Sequence, residues 1–121
     1  VMLCAGVKPN SQLAEDAEIA TNSRGGIIID EYFNTSHPHI FALGDVAEVE
    51  SSIDGTRTMI PLAGPANKQA RLCADVIAGV TAPYKGSMGS SVAKVFNTTV
   101  ASTGYTKAAL QTKGQQPGSG P

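Results

Sequence analysis

Tryptophan is absent from this chain, and aromatic residues of any kind are few: three tyrosines and three phenylalanines among 121 residues. Any core must therefore rest on aliphatic and small side chains. Charge is scarce as well. Charged residues make up 16% of the chain, where roughly 25% is usual for a free-standing globular protein. Nine basic residues against ten acidic ones leave no electrostatic footprint for nucleic acid or for an anionic membrane. No apolar run approaches the ~20 residues needed to cross a bilayer. The two cysteines, Cys4 and Cys73, stand far apart and outside any C-x-x-C pair. They support neither a disulfide framework nor a zinc site, and a reducing cytoplasm is the expected compartment. Internal repeats are missing, and so is the glycine fingerprint G-x-G-x-x-G that cradles a dinucleotide pyrophosphate.

What is present is glycine, thirteen residues of it, together with many other small side chains. That profile suits closely packed backbones, or a piece of a larger protein whose surface is normally covered. The length fits one ordinary domain. The chain opens on "VMLCAGV", an apolar strand pattern ending at Gly6, rather than on the basic and apolar regions of a signal peptide. The expectation is a fragment.

Along the chain, "VKPN" turns out through Pro9, and the polar "SQLAEDAEIATNSRGG" reads as a connection with about one helical turn. "GIIID" is a short β-branched strand, and "EYFNTSHPH" is a polar link into a second strand over residues 40–43. "VAEVESSIDGTRTMI" predicts a hairpin, with Asp54-Gly55 supplying the turn of positive φ. "PLAGPANKQARLCADVIAG" is the clearest helix. Its expected N-cap is Gly64, with Pro65 at the first helical position and Gly79 closing the far end. Ala66, Ala70, Cys73, Ala74 and Ile77 recur at helical spacing as its small-residue face. "VTAPYKGSMGS" predicts a linker, "SVAKVFNTTVASTG" two strands around Asn97, and "TKAAL" a short helix; residues 111–121 have almost no apolar content and predict disorder. His37 and His39 flank Pro38 without a third ligand in view and read as loop residues. Both cysteines read as small buried hydrophobes, and Lys68 and Arg71 as solvated or ion-paired.

The stretch "HIFALGDVAEV" asks for a chemical reading, because a short apolar run ends in Gly44-Asp45. Alone, this pair is a turn. At the end of a strand in an α/β sheet it can also abut a ligand. Gly44 permits close backbone approach, and Asp45 is an acceptor-only carboxylate suited to a polyol or ribose hydroxyl.

The order Thr35, Ile40, Phe41, Ala42, Gly44, Asp45, then a hairpin, then "PLAGPANKQAR" resembles the second flavin-binding motif of the pyridine nucleotide–disulfide oxidoreductases. With "SVAKVFNTTVASTG" it is similar to the branch that holds coenzyme A-disulfide reductase, NADH oxidase and NADH peroxidase. The likeness covers residues 1 to about 110. It implies an α/β fold: the C-terminal portion of an FAD-binding, Rossmann-like three-layer domain plus the first strands of an α+β dimerisation domain. Residues 1–10 would close the NAD(P)-binding domain, 11–82 belong to the FAD domain, and 87–110 begin the interface domain, with 111–121 a tail.

By this resemblance Asp45 hydrogen-bonds the ribityl chain of FAD, with Gly44, Phe41 and Ala42 beside it in the motif. Leu62, Ala63 and Gly64 lie against the pyrimidine edge of the isoalloxazine, and Gly6 passes near the nicotinamide of NAD(P)H. A helix N-terminus at that edge would stabilise the anionic reduced flavin by ~0.3–1 kcal/mol. The implied parent is a homodimeric flavoenzyme that passes electrons from NAD(P)H through FAD to a disulfide, a peroxide or oxygen. The fragment alone would be inactive, since the pyrophosphate fingerprints and the redox cysteine lie outside it. Two alternatives stand beside this: a non-catalytic α/β interaction module, and part of a flavoprotein of the ferredoxin or rubredoxin reductase kind.

Overall fold

The computed structural model of the protein describes residues 1–2 and 6–114. Part of the predicted opening strand, Cys4 with it, and residues 115–121 of the predicted tail lie outside the described residues. The chain divides into two compact units, one over residues 1–89 and one from Ser90 onward.

The first unit is built on a three-stranded sheet in the order β1-β2-β3. Strand β1 (Ile27–Ile28) runs parallel to β2 (Ala47–Glu50). Strand β3 (Arg57–Met59) returns antiparallel, pairing Val49 with Thr58. The predicted hairpin forms, and Gly55 takes φ 71° in its turn. Helix α1 (Gln12–Asp16) is the expected single turn or so of the polar connection. Helix α2 (Ala63–Ile77) is the expected long helix. Its C-terminus closes as predicted at Gly79, φ 86°. Val80 N–H donates to Asp75 O at 2.9 Å and Gly79 N–H to Val76 O at 2.9 Å, the paired bonds of a Schellman ending.

Four expectations need correction. The helix begins earlier than predicted, with Leu62 as N-cap, so Pro65 sits at the third helical position rather than the first. Proline is tolerated there for the same reason, because the first four N–H groups of a helix have no partner inside it. The buried face of α2 is also turned from the predicted one. Gln69 and Cys73 are buried with Ala66, Leu72 and Val76 half-buried, while Ala70, Ala74 and Ile77 are exposed. The predicted face assumed that only apolar positions are inside, and Gln69 breaks that rule.

Residues 40–43 form no ladder. Phe41 makes an isolated bridge to Asn34, and Ala42 N–H donates to Phe33 O at 3.1 Å. A strand needs a neighbour to pair with, and the hydrogen-bonded strand here is β2, which begins only at Ala47. Finally, the two segments read as polar link and linker both enter the core. Phe33 is fully buried at 0% exposure, and Tyr84 is buried against it with ring centroids 5.8 Å apart. Gly86 lies so close to β2 that a Cβ there would stand 2.1 Å from Glu50 O. The core around these two rings is otherwise aliphatic: Ile19, Ile27, Ile29, Ala47 and Val49.

The second unit is the predicted pair of strands, β4 (Ser91–Val95) and β5 (Thr98–Ser102), antiparallel with Val95 opposite Thr98. Phe96, in its two-residue turn, takes a positive φ of 51°. Helix α3 (Lys107–Thr112) follows, so Gln111 and Thr112, expected to open a disordered tail, are helical instead; the Thr106 hydroxyl accepts from Ala109 N–H at 3.2 Å as its cap.

Candidate functional site

Gly44 and Asp45 lie in the turn that leads into β2, at its N-terminal side, rather than at the far end of a paired strand. Gly44 adopts φ 82°, a conformation in which a side chain is strained. Ala47 N–H donates back to Gly44 O at 3.1 Å, so the turn is closed behind Asp45. The Gly44 N–H is held from the other side by Gln69 Oε1 at 2.6 Å. An ideal Cβ on Gly44 would meet nothing within 4 Å, so the glycine borders open space.

Asp45 is exposed, and its carboxylate has no protein hydrogen bond among the described residues. An unpaired carboxylate on a closed turn is a ready acceptor for two hydroxyl donors. Phe41 and Ala42 are half-buried and pack on the core.

Leu62, Ala63 and Gly64 form the start of α2. No side chain caps this end, and Ala63 and Gly64 are exposed. With Pro65 lacking an N–H, the donors at Ala63 and Gly64 are left free for an anionic or carbonyl group outside the chain. Gly6 is exposed with φ 85°. The residues after it, Val7 through Asn10, line a cavity of about 490 Å³ together with Arg24, Asp45, Val46, Met59 and Pro61. Four distant segments thus converge: the one after Gly6, Arg24, the turn at Asp45 and the stretch from Met59 to Pro61. Gly6, Phe41, Ala42, Gly44 and Leu62 to Gly64 are not themselves on the cavity wall.

Below the turn, a polar network ties the sheet together. The Arg57 Nε donates to Glu48 Oε1 at 3.1 Å and its Nη2 to Glu48 O at 2.8 Å, with a further bond from Nη2 to Ile29 O. Asn22 Nδ2 donates to the other Glu48 carboxylate oxygen. Glu48 is nearly buried while Arg57 keeps 40% of its side chain exposed. The pair therefore gains more from its hydrogen bonds than from bare charge.

The polar link after β1 is organised by Asp30. Burial opposes its ionisation, but the Asn34 side-chain amide, the Asn34 and Tyr32 backbone N–H groups and the Arg57 charge outweigh that, and hold the carboxyl below its ordinary value. Burial alone pushes the Cys73 thiol up. At 2% exposure it stays protonated at neutral pH, the state of an inert packing residue. Lys68 is exposed, with Nζ 5.8 Å from the Tyr84 ring centroid. His37 and His39 are exposed, and His37 Nδ1 pairs with Pro38 O at 2.9 Å.

The sequence reading missed Gln69, Arg24, Met59 and residues 7–10 as parts of this region. Gln69 carried a signal, since it lies at helical spacing from Ala66, Cys73 and Val76. Residues 7–10, Arg24 and Met59 carried none, because only folding brings them to one cavity with Asp45.

Fold and site together define an α/β chain that offers a free carboxylate and an open helix start beside one concave surface. A profile of the family described as Pyridine nucleotide-disulphide oxidoreductase matches residues 1–70, and the chain belongs to that family. The NAD(P)H sulfur oxidoreductase (CoA-dependent) of Pyrococcus abyssi is 36% identical over 107 residues, which cover 88% of this chain and 24% of that protein. Reduced CoADR-RHD of Bacillus anthracis is 50% identical with a TM-score of 0.86, over 91% of this chain and 20% of that one. An FAD-dependent pyridine nucleotide-disulphide oxidoreductase of Desulfovibrio vulgaris is 37% identical with a TM-score of 0.87, over 93% of this chain and 28% of that one. The chain thus spans about a quarter of the length of the proteins it matches. The resemblance drawn from motif order is borne out, as is the α/β class.

Proposed function

We propose that this chain supplies the second half of the flavin site of an FAD- and NAD(P)H-dependent disulfide reductase or oxidase. The observation that carries the reading is the free carboxylate of Asp45 on a turn closed by Gly44, sharing one cavity wall with residues 7–10 and Pro61. Its chemistry fits FAD: an acceptor for ribityl hydroxyls, and two open N–H donors at Ala63 and Gly64 for the carbonyl edge of the ring. Held by Asp45 and the start of α2, FAD would supply the chemistry of accepting a hydride from NAD(P)H and releasing electrons to a disulfide such as coenzyme A disulfide, or to a peroxide or oxygen. The chain's own residues would do three things. Asp45 would hold the ribityl chain, the start of α2 would favour the anionic reduced ring by ~0.3–1 kcal/mol, and Gly6 would leave room for the nicotinamide.

Residues 1–10 would end the NAD(P)-binding domain, 11–82 belong to the FAD domain, and 87–110 open a dimerisation domain of a homodimeric, cytoplasmic enzyme. The exposed Val92, Val95 and Val100 of the β4–β5 hairpin support an interface there. Names and structures of the relatives support the electron path, and no membrane-crossing helix is found among the described residues.

The test is flavin binding by the complete flavoenzyme. Asp45→Ala should weaken FAD binding by about tenfold or more, the loss of a charge-assisted hydrogen bond, measured by recovery of flavin fluorescence on dilution. Undiminished FAD affinity in that variant would remove Asp45 from the site. A colourless, stable, full-length protein would favour the non-catalytic module instead.

A further inference from the structure

Gln69 is the most buried polar side chain among the described residues, at 1% exposure. It stands on the core face of α2 between Ala66 and Cys73, where a leucine or methionine would pack without needing a hydrogen-bond partner. A buried amide persists at such a place when its hydrogen bond does something an apolar side chain cannot. Its Oε1 accepts the Gly44 N–H at 2.6 Å, across 25 positions of sequence.

The partner matters. Gly44 is the residue with the widest backbone freedom, at φ 82°, and one peptide bond separates it from Asp45. Without a fixed N–H, rotation at Gly44 would swing the carboxylate. Ala47 N–H already holds the Gly44 carbonyl, and Gln69 fixes the N–H on the other side of the glycine. Gln69 does so from α2, whose first residues, Ala63 and Gly64, carry the open N–H donors. About six residues of rigid helix, ~9 Å, connect the two.

We infer that Gln69 is a positioning residue of the flavin site. It locks the Gly44-Asp45 turn to α2, so that the ribityl acceptor and the helix donors keep one spacing. The inference rests on the reading of this turn as the ribityl-binding element. Gln69 acts through Gly44, and its removal should be felt at Asp45.

The experiment is a double-mutant cycle in the complete holoenzyme, with FAD Kd and the visible spectrum of bound flavin as readouts. Gln69→Met keeps length and apolar packing and deletes the acceptor; Gln69→Glu keeps an acceptor oxygen. Gln69→Met should raise the FAD Kd by about tenfold and alter the flavin spectrum. Gln69→Glu should recover to within about threefold, and Gln69→Met should add less than about twofold in an Asp45→Ala background. Additive losses, or a glutamate no better than methionine, would overturn the inference. If Asp45→Ala binds FAD normally, the reading of the turn has failed and the inference with it. If Asp45→Ala weakens binding and Gln69→Met does not, the inference alone has failed. Should Gln69→Met not fold, Gln69→Asn, one methylene too short to reach Gly44, takes its place with the same outcomes.

Discussion

Gly86 takes φ 76°, and a Cβ there would stand 2.1 Å from Glu50 O. Backbone on backbone contact of this kind leaves no flexible group to yield. Gly86→Ala should destabilise the protein by on the order of 2 kcal/mol or more, from conformational strain plus the clash, seen as a lower urea midpoint. At Cys73 the shift has a sign that can be checked. Burial raises the thiol pKa in the fold, so the protonated form is favoured and its contribution is intact below the unfolded thiol pKa. Stability should fall as the pH climbs past the unfolded value toward the folded one. A thiol reagent should label Cys73 slowly in native protein and rapidly in urea, while equal rates would contradict its burial. Asp30 runs the other way. Its folded pKa is depressed, so its contribution is present above the unfolded carboxyl pKa and is lost as pH falls through the folded one. Asn34→Ala removes the amide donor and should move the Asp30 titration upward in an NMR pH series.

At the scale of elements, Arg57 decides how the sheet holds together. It sits on β3, yet it donates to the side chain and carbonyl of Glu48 on β2 and to Ile29 O just past β1. Two-residue β1 pairs with β2 only through Ile27 and Ile28, too little to hold it alone. Arg57→Ala strips three strand connections and leaves Glu48 with Asn22 as its partner. It should cost about 1–3 kcal/mol, measured by denaturant unfolding, with fastest gain of amide exchange at residues 27–29. Arg57→Lys should recover only part of this, since an ammonium cannot reach several acceptors in one plane. Helix α2 shows the same economy. One face packs Gln69 and Cys73 inward, while Ala70, Ala74 and Ile77 stay exposed.

For the molecule as a whole, more large apolar side chains are exposed than buried among the described residues. Val92, Val95 and Val100 of β4–β5 and Phe96 at their turn are more than half exposed, and every residue of both strands is exposed. Hairpins with bare apolar residues and free edges pair with other chains. The 121-residue chain by itself should associate as concentration rises, by sedimentation velocity, and Val92→Thr with Val100→Thr should reduce that association. A monomer at all concentrations would contradict the interface reading of residues 87–110.

Much of this protein was legible in its residues. Asp54-Gly55 marked the hairpin, Gly79 the end of α2, and the order from Thr35 through Asp45 to "PLAGPANK" the family, because turn chemistry and motif spacing are local. Other features were not local. Phe33 and Tyr84 lie in segments whose composition is polar or turn-forming, and both became core because folding brought them face to face. Residues 40–43 had the pattern of a strand, but a ladder also requires a neighbour, and β2 found its partners elsewhere. Sequence by itself determined the α/β class, the chain reversals and the presence of an open glycine followed by a carboxylate at residues 44–45. Tertiary structure alone decided that Gln69 would hold that turn and that residues 7–10 would line one cavity with Asp45, since the meeting of distant segments depends on how helix and sheet pack and leaves no local trace.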